Sequence, residues 1–282
     1  MLPTGGPFDW AAVEIAVPRP ADRLPGVYMA GFRQRTPAPF GDIAMIAYPF
    51  LTVFVDLSDE GAVVYDARGR RECGSAVVGL LPDGLRAAGW GKVECLQIRL
   101  EPALAAAVLG ASSELTGTVA ALDDVWGRDA GRVRDRLRAA GSWDERFAVA
   151  RDVLGRRLEG RARVDPEVAH AWRHTLTGRG RVRVDGLADE VGWSRKRLWA
   201  RFRSQLGITP KHAARLVRFD HAAHLLAAGH DAAGTAVRSG YADQSHLHRE
   251  VRAFAGLTPA GVAVAPWLAV DGVAWPLATR PR

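Results

Sequence analysis

Two stretches of the C-terminal half carry basic and polar side chains at helical spacing. The first stretch contains Arg195, Lys196, Trp199 and Arg203. The second contains Gln244, Ser245, His248, Arg249 and Arg252. Arginine and lysine bind guanine edges, glutamine binds adenine, serine binds either base, and further arginines bind phosphate. These side chains therefore predict contacts with double-stranded DNA, the alternative being an ordinary solvated helix face.

The elements that would position these side chains occur twice. Gly207-Ile208-Thr209-Pro210 recurs as Gly256-Leu257-Thr258-Pro259, and each copy follows a short helix, a Gly-aromatic turn and a longer helix. Ser194 and Asp243 are placed to cap the two longer helices. The apolar residues recur at helical spacing and must face inward; they are Leu198, Phe202 and Leu206 in the first copy and Leu247, Val251 and Phe254 in the second. The pattern predicts a duplicated helix-turn-helix.

One amphipathic helix is predicted between the two copies. It begins at Pro210, where Thr209-Pro210 forms a cap followed by an N1 proline, and runs to about Ala228. Its length would be about 28 Å at 1.5 Å per residue. A rigid spacer of this size could hold two reading helices near the roughly 34 Å repeat of the major groove.

Residues 184–262 resemble the DNA-binding domain of AraC/XylS-type transcription regulators. The resemblance is carried by LADEVGWSRKRLWARFRSQLGITP, from Leu187 to Pro210, and by SGYADQSHLHREVRAFAGLTP, from Ser239 to Pro259. It implies a monomeric binding unit that places two helices in successive major grooves. The base-contacting positions that it implies are Lys196, Trp199, Ala200, Gln244, Ser245 and Arg249. Trp199 would contact a thymine methyl or a sugar, or else pack against the neighbouring helix.

The sequence departs from the family pattern at three places, one of which is His246-Leu247, where an aromatic is common. Ala200 stands where the pattern often has arginine, which removes one base or phosphate contact from the first copy. Thr235-Ala236, preceded by Gly234, stands where the family favours Ile-Ala. A polar residue in place of an apolar one is expected to weaken the packing of the short helix in the second copy.

Length, composition and charge divide the 282 residues into unlike parts. The length suggests about two domains, and 48% hydrophobic with 24% charged residues excludes a disordered chain or a collagen-like repeat. Residues 180–262 contain 13 basic and 7 acidic side chains, whereas residues 1–179 contain 23 of each. We therefore predict a domain at 1–178, a basic DNA-binding domain at 180–262 and a C-terminal extension at 263–282, which could dock on the first domain.

The first domain is predicted to be a β module followed by helices. Six short apolar or alternating runs separated by turn signals favour an antiparallel sandwich or barrel-like module between about 25 and 100. The runs predicted as strands are Val27–Thr36, Asp42–Tyr48, Leu51–Leu57, Ala62–Tyr65, Ser75–Leu81 and Val93–Leu100. Helices are expected over about 102–177, including Arg128–Ala140, Trp143–Glu159 and Pro166–Leu176, with Ser142 and Asp165 as caps. The fold class is therefore α+β, and the resemblance implies a regulatory or dimerisation role for this domain.

Several strand aromatics are candidates to line an effector pocket or to form core. They are Tyr28, Phe32, Tyr48, Phe50, Phe54, Tyr65 and Trp90. The helices Arg128–Ala140 and Trp143–Glu159 could form a homodimer surface, or their apolar stripes could pack on the sheet. A small-molecule effector and a homodimer are therefore predicted partners, together with RNA polymerase if the protein is an activator.

Catalytic and metal-binding patterns are not evident. The sequence has none of the hydrolase, zinc-protease or phosphate-loop motifs, only two cysteines, and no histidine before His170. His170 and His174 have a spacing that suits zinc, but without an evident third ligand they are predicted to be surface or packing residues. We expect no enzyme activity, no cofactor and no metal. The competing hypotheses are a β-barrel enzyme or a non-catalytic sensor that uses the basic domain only to reach DNA.

The expected location is the cytoplasm. No run approaches 18 apolar residues, the start lacks a secretory pattern, and Cys73 and Cys95 do not form a close pair. No membrane partner is expected. Together with the duplicated motif, these features predict a sequence-specific transcription regulator controlled through its N-terminal domain.

Overall fold

The computed structural model describes residues 10–36, 40–59, 61–67, 69–81, 85–110, 113–159 and 164–275. The described residues of the N-terminal part form ten strands. They are β1 (Val13–Ala16), β2 (Val27–Gln34), β3 (Phe40–Met45), β4 (Leu51–Asp56), β5 (Gly61–Ala67), β6 (Arg70–Cys73), β7 (Ala76–Val78), β8 (Leu85–Gly91), β9 (Glu94–Leu100) and β10 (Val119–Ala121).

The strands form two antiparallel sheets, neither of which closes into a barrel. One has the order β1-β2-β9-β4-β7-β10 and the other has the order β3-β8-β5-β6. Apolar residues from both sheets share one buried cluster, in which Phe54 and Tyr65 stack with ring centroids 4.4 Å apart. The α+β prediction is confirmed, and the described strands form a sandwich rather than a closed barrel.

Four strands were not predicted from the sequence, namely β1, β6, β8 and β10. Strand β8 reads LRAAGWG, with alanine and glycine in place of β-branched residues. It nevertheless pairs with β3 on one side and β5 on the other. Its place in the sheet therefore depends on its neighbours, not on its own β propensity.

Along the chain, one helix of the N-terminal part lies between β9 and β10, and four further described helices of this part follow β10. In chain order they are α1 (Pro102–Leu109), α2 (Leu122–Trp126), α3 (Arg128–Ala139), α4 (Trp143–Leu158) and α5 (Pro166–Thr177). The predicted bounds of α3, α4 and α5 agree to within one residue. The apolar side of α4 packs on the sheet, since a Cβ at Gly31 would lie 2.4 Å from ring atoms of Trp143.

One of the two predicted caps in this region is wrong. Ser142 accepts a hydrogen bond from the Glu145 amide and caps α4 as expected. Asp165 makes no side-chain cap for α5. Its carboxylate instead accepts two hydrogen bonds, at 2.6 and 2.8 Å, from the guanidinium of Arg201. An ion pair with the C-terminal domain therefore takes the place of the cap.

The C-terminal part is helical. Its elements are α6 (Val184–Glu190), α7 (Arg195–Leu206), α8 (Pro210–Ala227), α9 (Ala232–Ser239), α10 (Gln244–Ala255), α11 (Pro259–Ala263) and α12 (Pro266–Ala274). The connection from α5 is tightly packed. Gly180 has φ +69°, and a Cβ there would lie 2.1 Å from the carbonyl oxygen of Ala214. Only glycine fits this passage of the chain across α8.

Helix α12, within the predicted extension, joins the two parts of the molecule. Its Asp271 forms a buried ion pair with Arg99 on β9 at 3.1 Å. Asp271 also lies 3.3 Å from Nε2 of His224 on α8. The Arg99 guanidinium lies over the rings of Tyr48 and Trp275, about 4 Å from each centroid. The extension thus contacts the first domain as predicted; residues 276–282 lie outside the described residues.

Candidate nucleic-acid interface

Helix α7 is built so that its polar side faces outward. Ser194 caps it by accepting a hydrogen bond from the Arg197 amide, and Gly207 ends it in the left-handed conformation with φ +74°. Leu198, Phe202 and Leu206 are almost completely buried. Because these three fix one side of the helix in the core, the remaining positions project into solvent.

Helix α10 repeats this design. Asp243 caps it through the His246 amide, and Gly256 ends it with φ +68°. Its inward side consists of Leu247, Val251 and Phe254, all buried. Thr209 and Thr258 cap α8 and α11 in the same way. The duplicated arrangement of capped, one-sided helices is therefore present in both copies, as the repeat predicted.

All nine side chains predicted to bind DNA are exposed to solvent. They are Arg195, Lys196, Trp199, Arg203, Gln244, Ser245, His248, Arg249 and Arg252. Two of them have partners within the first copy. Arg195 donates to Asp185 on α6 at 3.0 Å, and the Arg203 guanidinium lies 5.3 Å from the ring centroid of Trp199. Trp199 is 43% exposed, so part of its ring faces solvent.

Both α7 and α10 pack on α8, which is the spacer between them. With 18 residues, α8 is about 27 Å long. Arg215 on α8 holds Glu250 on α10 at 2.8 Å, and the Arg218 guanidinium lies 4.9 Å from the ring centroid of Tyr241. These contacts fix the second recognition helix to the spacer.

The short helix of the second copy contains the expected packing defect. Thr235 on α9 is completely buried, and its hydroxyl has no hydrogen-bond partner among the described residues. A buried hydroxyl without a partner costs about 1–3 kcal/mol. The substitution that departs from the family pattern therefore leaves an unsatisfied polar group next to Ala236.

Most other histidines of the basic domain serve contacts between helices. Burial lowers the pKa of His221 to about 4, and Arg179, whose Nη1 lies 3.4 Å from His221 Nε2, adds to the shift. Burial also opposes protonation of His224, but Asp220 and Asp271 outweigh it and raise the pKa of His224 to about 9. His246 meets the Tyr241 ring edge-on. His248 alone among these lies on the exposed recognition face.

A cavity of about 930 Å³ lies between the six-stranded sheet, which contains β2, and the helices α5 and α8. Apolar groups line it from both domains, including Val27, Met29, Phe50, Leu176 and Val217. Of the seven candidate pocket aromatics only Tyr28 and Phe50 belong to this lining. Phe54 and Tyr65 are core between the sheets, Phe32 packs on Trp275, Tyr48 packs on Arg99, and Trp90 is exposed.

The structure adds a third residue to the histidine pair on α5. Glu190, the last residue of α6, lies 2.9 Å from His170 Nε2 and 2.6 Å from His174 Nδ1. Sequence reasoning missed Glu190 because the residue is distant from both histidines along the chain. Glu190 thus supplies a third possible ligand that was not evident from the sequence. These three residues could hold a metal ion.

Comparison with known proteins identifies the class to which the C-terminal domain belongs. Residues 187–263 match the family model described as a helix-turn-helix domain. The match defines a helix-turn-helix DNA-binding domain of the kind used in transcription regulation. The match covers the segment that resembles the AraC/XylS-type DNA-binding domain, and this predicted resemblance is confirmed over residues 187–263. No curated protein matches the chain.

Solved structures with a similar fold are known. The C-terminal domain of AraT, a response regulator from Geobacillus stearothermophilus, is 22% identical, covers 36% of this chain and 87% of its own, and has a TM-score of 0.34. ToxT from Vibrio cholerae O395 is 12% identical, covers 92% of this chain and 98% of its own, and has a TM-score of 0.43. The AraC-like transcriptional activator CuxR is 15% identical over 72% of this chain and 84% of its own, with a TM-score of 0.33.

None of the described helices is both long enough and apolar enough to cross a bilayer.

Proposed function

We propose that this protein is a sequence-specific transcription regulator that inserts α7 and α10 into successive major grooves of one DNA duplex. The observation that carries the proposal is the repetition of one design. Two capped helices, each buried on one side by three apolar residues, both pack on α8 and present basic and polar side chains to solvent.

The exposed side chains divide into two chemical roles. Gln244, Ser245 and Arg249 lie in the first two turns of α10, where recognition helices touch base edges. Lys196 and Trp199 occupy the corresponding part of α7. Arg203 and Arg252, one or two turns further along, would bind phosphate and supply salt-dependent affinity. Arg195, paired with Asp185 in the structure, would exchange this partner for a backbone phosphate when DNA binds.

The test is selection of bound sequences from random DNA, followed by binding measurements with variants. Arg249→Ala should weaken binding to the selected site by about 1–3 kcal/mol and relax the preference at one base pair. Arg132→Ala is the matched control, because Arg132 is also an exposed arginine but lies on α3 of the first domain. Equal losses for both variants, or no enriched sequence, would contradict the proposal.

We also propose that the interdomain cavity is where a small-molecule effector acts. Its volume of about 930 Å³ is within the range of ligand pockets. Its walls come from β2, from α5 and from the spacer helix α8, so a bound molecule would contact both domains at once. An effector can control the protein only if it binds one arrangement of the two domains more tightly than another. Homodimerisation and contact with RNA polymerase stay predictions.

An apolar fluorescent probe, 1-anilinonaphthalene-8-sulfonate, tests whether the cavity binds ligands. Leu176→Trp would fill part of the cavity, since Leu176 belongs to its lining. Val237→Trp is the control, because Val237 is 76% exposed on α9 and is not part of the lining. Probe binding that is lost only in Leu176→Trp supports the proposal. Binding that is absent, or unchanged in Leu176→Trp, contradicts it.

A further inference from the structure

Three possible ligand atoms converge where the last helix of the first domain meets the first helix of the DNA-binding domain. They are His170 Nε2 and His174 Nδ1 on α5 and the carboxylate of Glu190 on α6, and all lie within 4.8 Å of one another. The two imidazoles are one helical turn apart and nearly perpendicular, with an interplanar angle of 88°. All three side chains are between 39% and 47% exposed, so an ion can reach them from solvent.

The set has the chemistry of a transition-metal site. Two imidazole nitrogens and one carboxylate are a known ligand set for zinc, with a fourth position open to water. Zinc bonds of about 2.0–2.2 Å in a tetrahedral arrangement place ligand atoms roughly 3.3 Å apart. The present separations between imidazole nitrogen and carboxylate oxygen are 2.9 Å for His170 and 2.6 Å for His174. They would need to open by about 0.4 and 0.7 Å to reach this distance.

The three residues also satisfy a simpler arrangement without metal. Each imidazole can donate a proton to one carboxylate oxygen, and these hydrogen bonds lower the pKa of Glu190. A metal ion would replace both protons, since it takes the nitrogen lone pairs of neutral imidazoles. The hydrogen-bonded arrangement and the metal site can be told apart by experiment. Replacing the Glu190 carboxylate by a neutral amide keeps a hydrogen-bonding side chain but removes a metal ligand.

We propose that His170, His174 and Glu190 bind a divalent transition-metal ion of the zinc class. The ion would join α5 to α6 across the connection that runs through Gly180. Helix α6 in turn packs directly against α7. Metal binding would therefore fix the first recognition helix relative to the N-terminal domain. The site itself does not depend on the proposed DNA binding and is tested without DNA.

The experiment titrates zinc into the full chain, purified without a histidine tag, in competition with a chromophoric chelator. Wild type should bind one ion per chain. Glu190→Gln and His174→Ala should each weaken binding by about tenfold or more, because each removes one of three protein ligands. His230→Ala, which removes a histidine from the turn after α8, should bind like wild type.

Two additional measurements make the result decisive. Circular dichroism shows whether each variant folds, and Glu190→Gln keeps a hydrogen-bonding side chain if His174→Ala does not fold. X-ray absorption of the zinc-loaded protein should show two imidazoles among ligands at about 2.0 Å. The absence of binding at one ion per chain, or equal affinity of wild type and Glu190→Gln, would overturn the proposal.

Discussion

Arg215 on the spacer helix α8 and Glu250 on the second recognition helix α10 are joined by an ion pair of 2.8 Å. The Glu250 side chain is only 9% exposed, whereas that of Arg215 is 37% exposed. The carboxylate therefore depends on the guanidinium for the interactions that water would otherwise supply. The pair ties the direction of α10 to the spacer, and so contributes to the relative placement of the two recognition helices.

Replacing Arg215 should weaken this attachment. Arg215→Ala leaves the Glu250 carboxylate nearly buried without its partner, so we expect a loss of about 1–3 kcal/mol in the free energy of unfolding. Urea denaturation followed by circular dichroism measures this. The double variant Arg215→Ala/Glu250→Gln should recover part of the loss, since it removes the unpaired charge. A double variant less stable than Arg215→Ala would contradict this account of the pair.

The charge on His224 makes the docking of α12 sensitive to pH. Its pKa is raised in the folded protein to about 9 by Asp220 and Asp271, against about 6.5 in the unfolded chain. This stabilisation is full below pH 6.5 and is lost as the pH rises through about 9. We expect wild type to lose up to about 3 kcal/mol between these limits.

The control is His224→Gln, which keeps a hydrogen-bonding side chain but cannot titrate. Its free energy of unfolding should be lower than that of wild type at pH 6.5 and should change less from pH 6.5 to pH 10. Identical pH dependence of the two proteins would show that His224 does not carry the effect.

The buried hydroxyl of Thr235 should be a point where stability can be gained. Thr235→Val removes an unpartnered polar group while keeping the side-chain shape, so we expect the free energy of unfolding to rise by about 1 kcal/mol. Thr175 on α5 is the matched control, because it is equally buried but donates to the Ala171 carbonyl at 2.8 Å. Thr175→Val should not stabilise. Thermal unfolding measures both variants. An equal change in melting temperature for Thr235→Val and Thr175→Val would contradict the account.

Local features of the C-terminal domain could be predicted from the sequence because each depends on a few neighbouring residues. Ser194, Asp243 and Thr209 all cap helices as expected. Asp165 fails as a cap because Arg201, which lies far along the chain, takes its carboxylate. Strand β8 was missed for a similar reason, since two neighbouring strands hold an alanine- and glycine-rich segment.

The parts of the candidate sites that were missed are all long-range. Arg99 and Asp271 are 172 positions apart, and periodicity within either segment does not indicate that they meet. The same holds for Glu190, whose position beside His170 and His174 depends on how α6 packs against α5. By contrast, the exposed faces of α7 and α10 could be predicted because the buried stripe of each helix determines its outward side.

The spacing between the two recognition helices is the most direct test of the central claim. Once a bipartite DNA site has been selected, about 5 base pairs inserted between its halves rotate one half by roughly half a turn. Because α8 holds α7 and α10 at a fixed separation, we expect affinity to fall to that of a single half-site, and a full-turn insertion not to restore it. Unchanged affinity for the half-turn insertion would contradict the claim that one chain reads both halves.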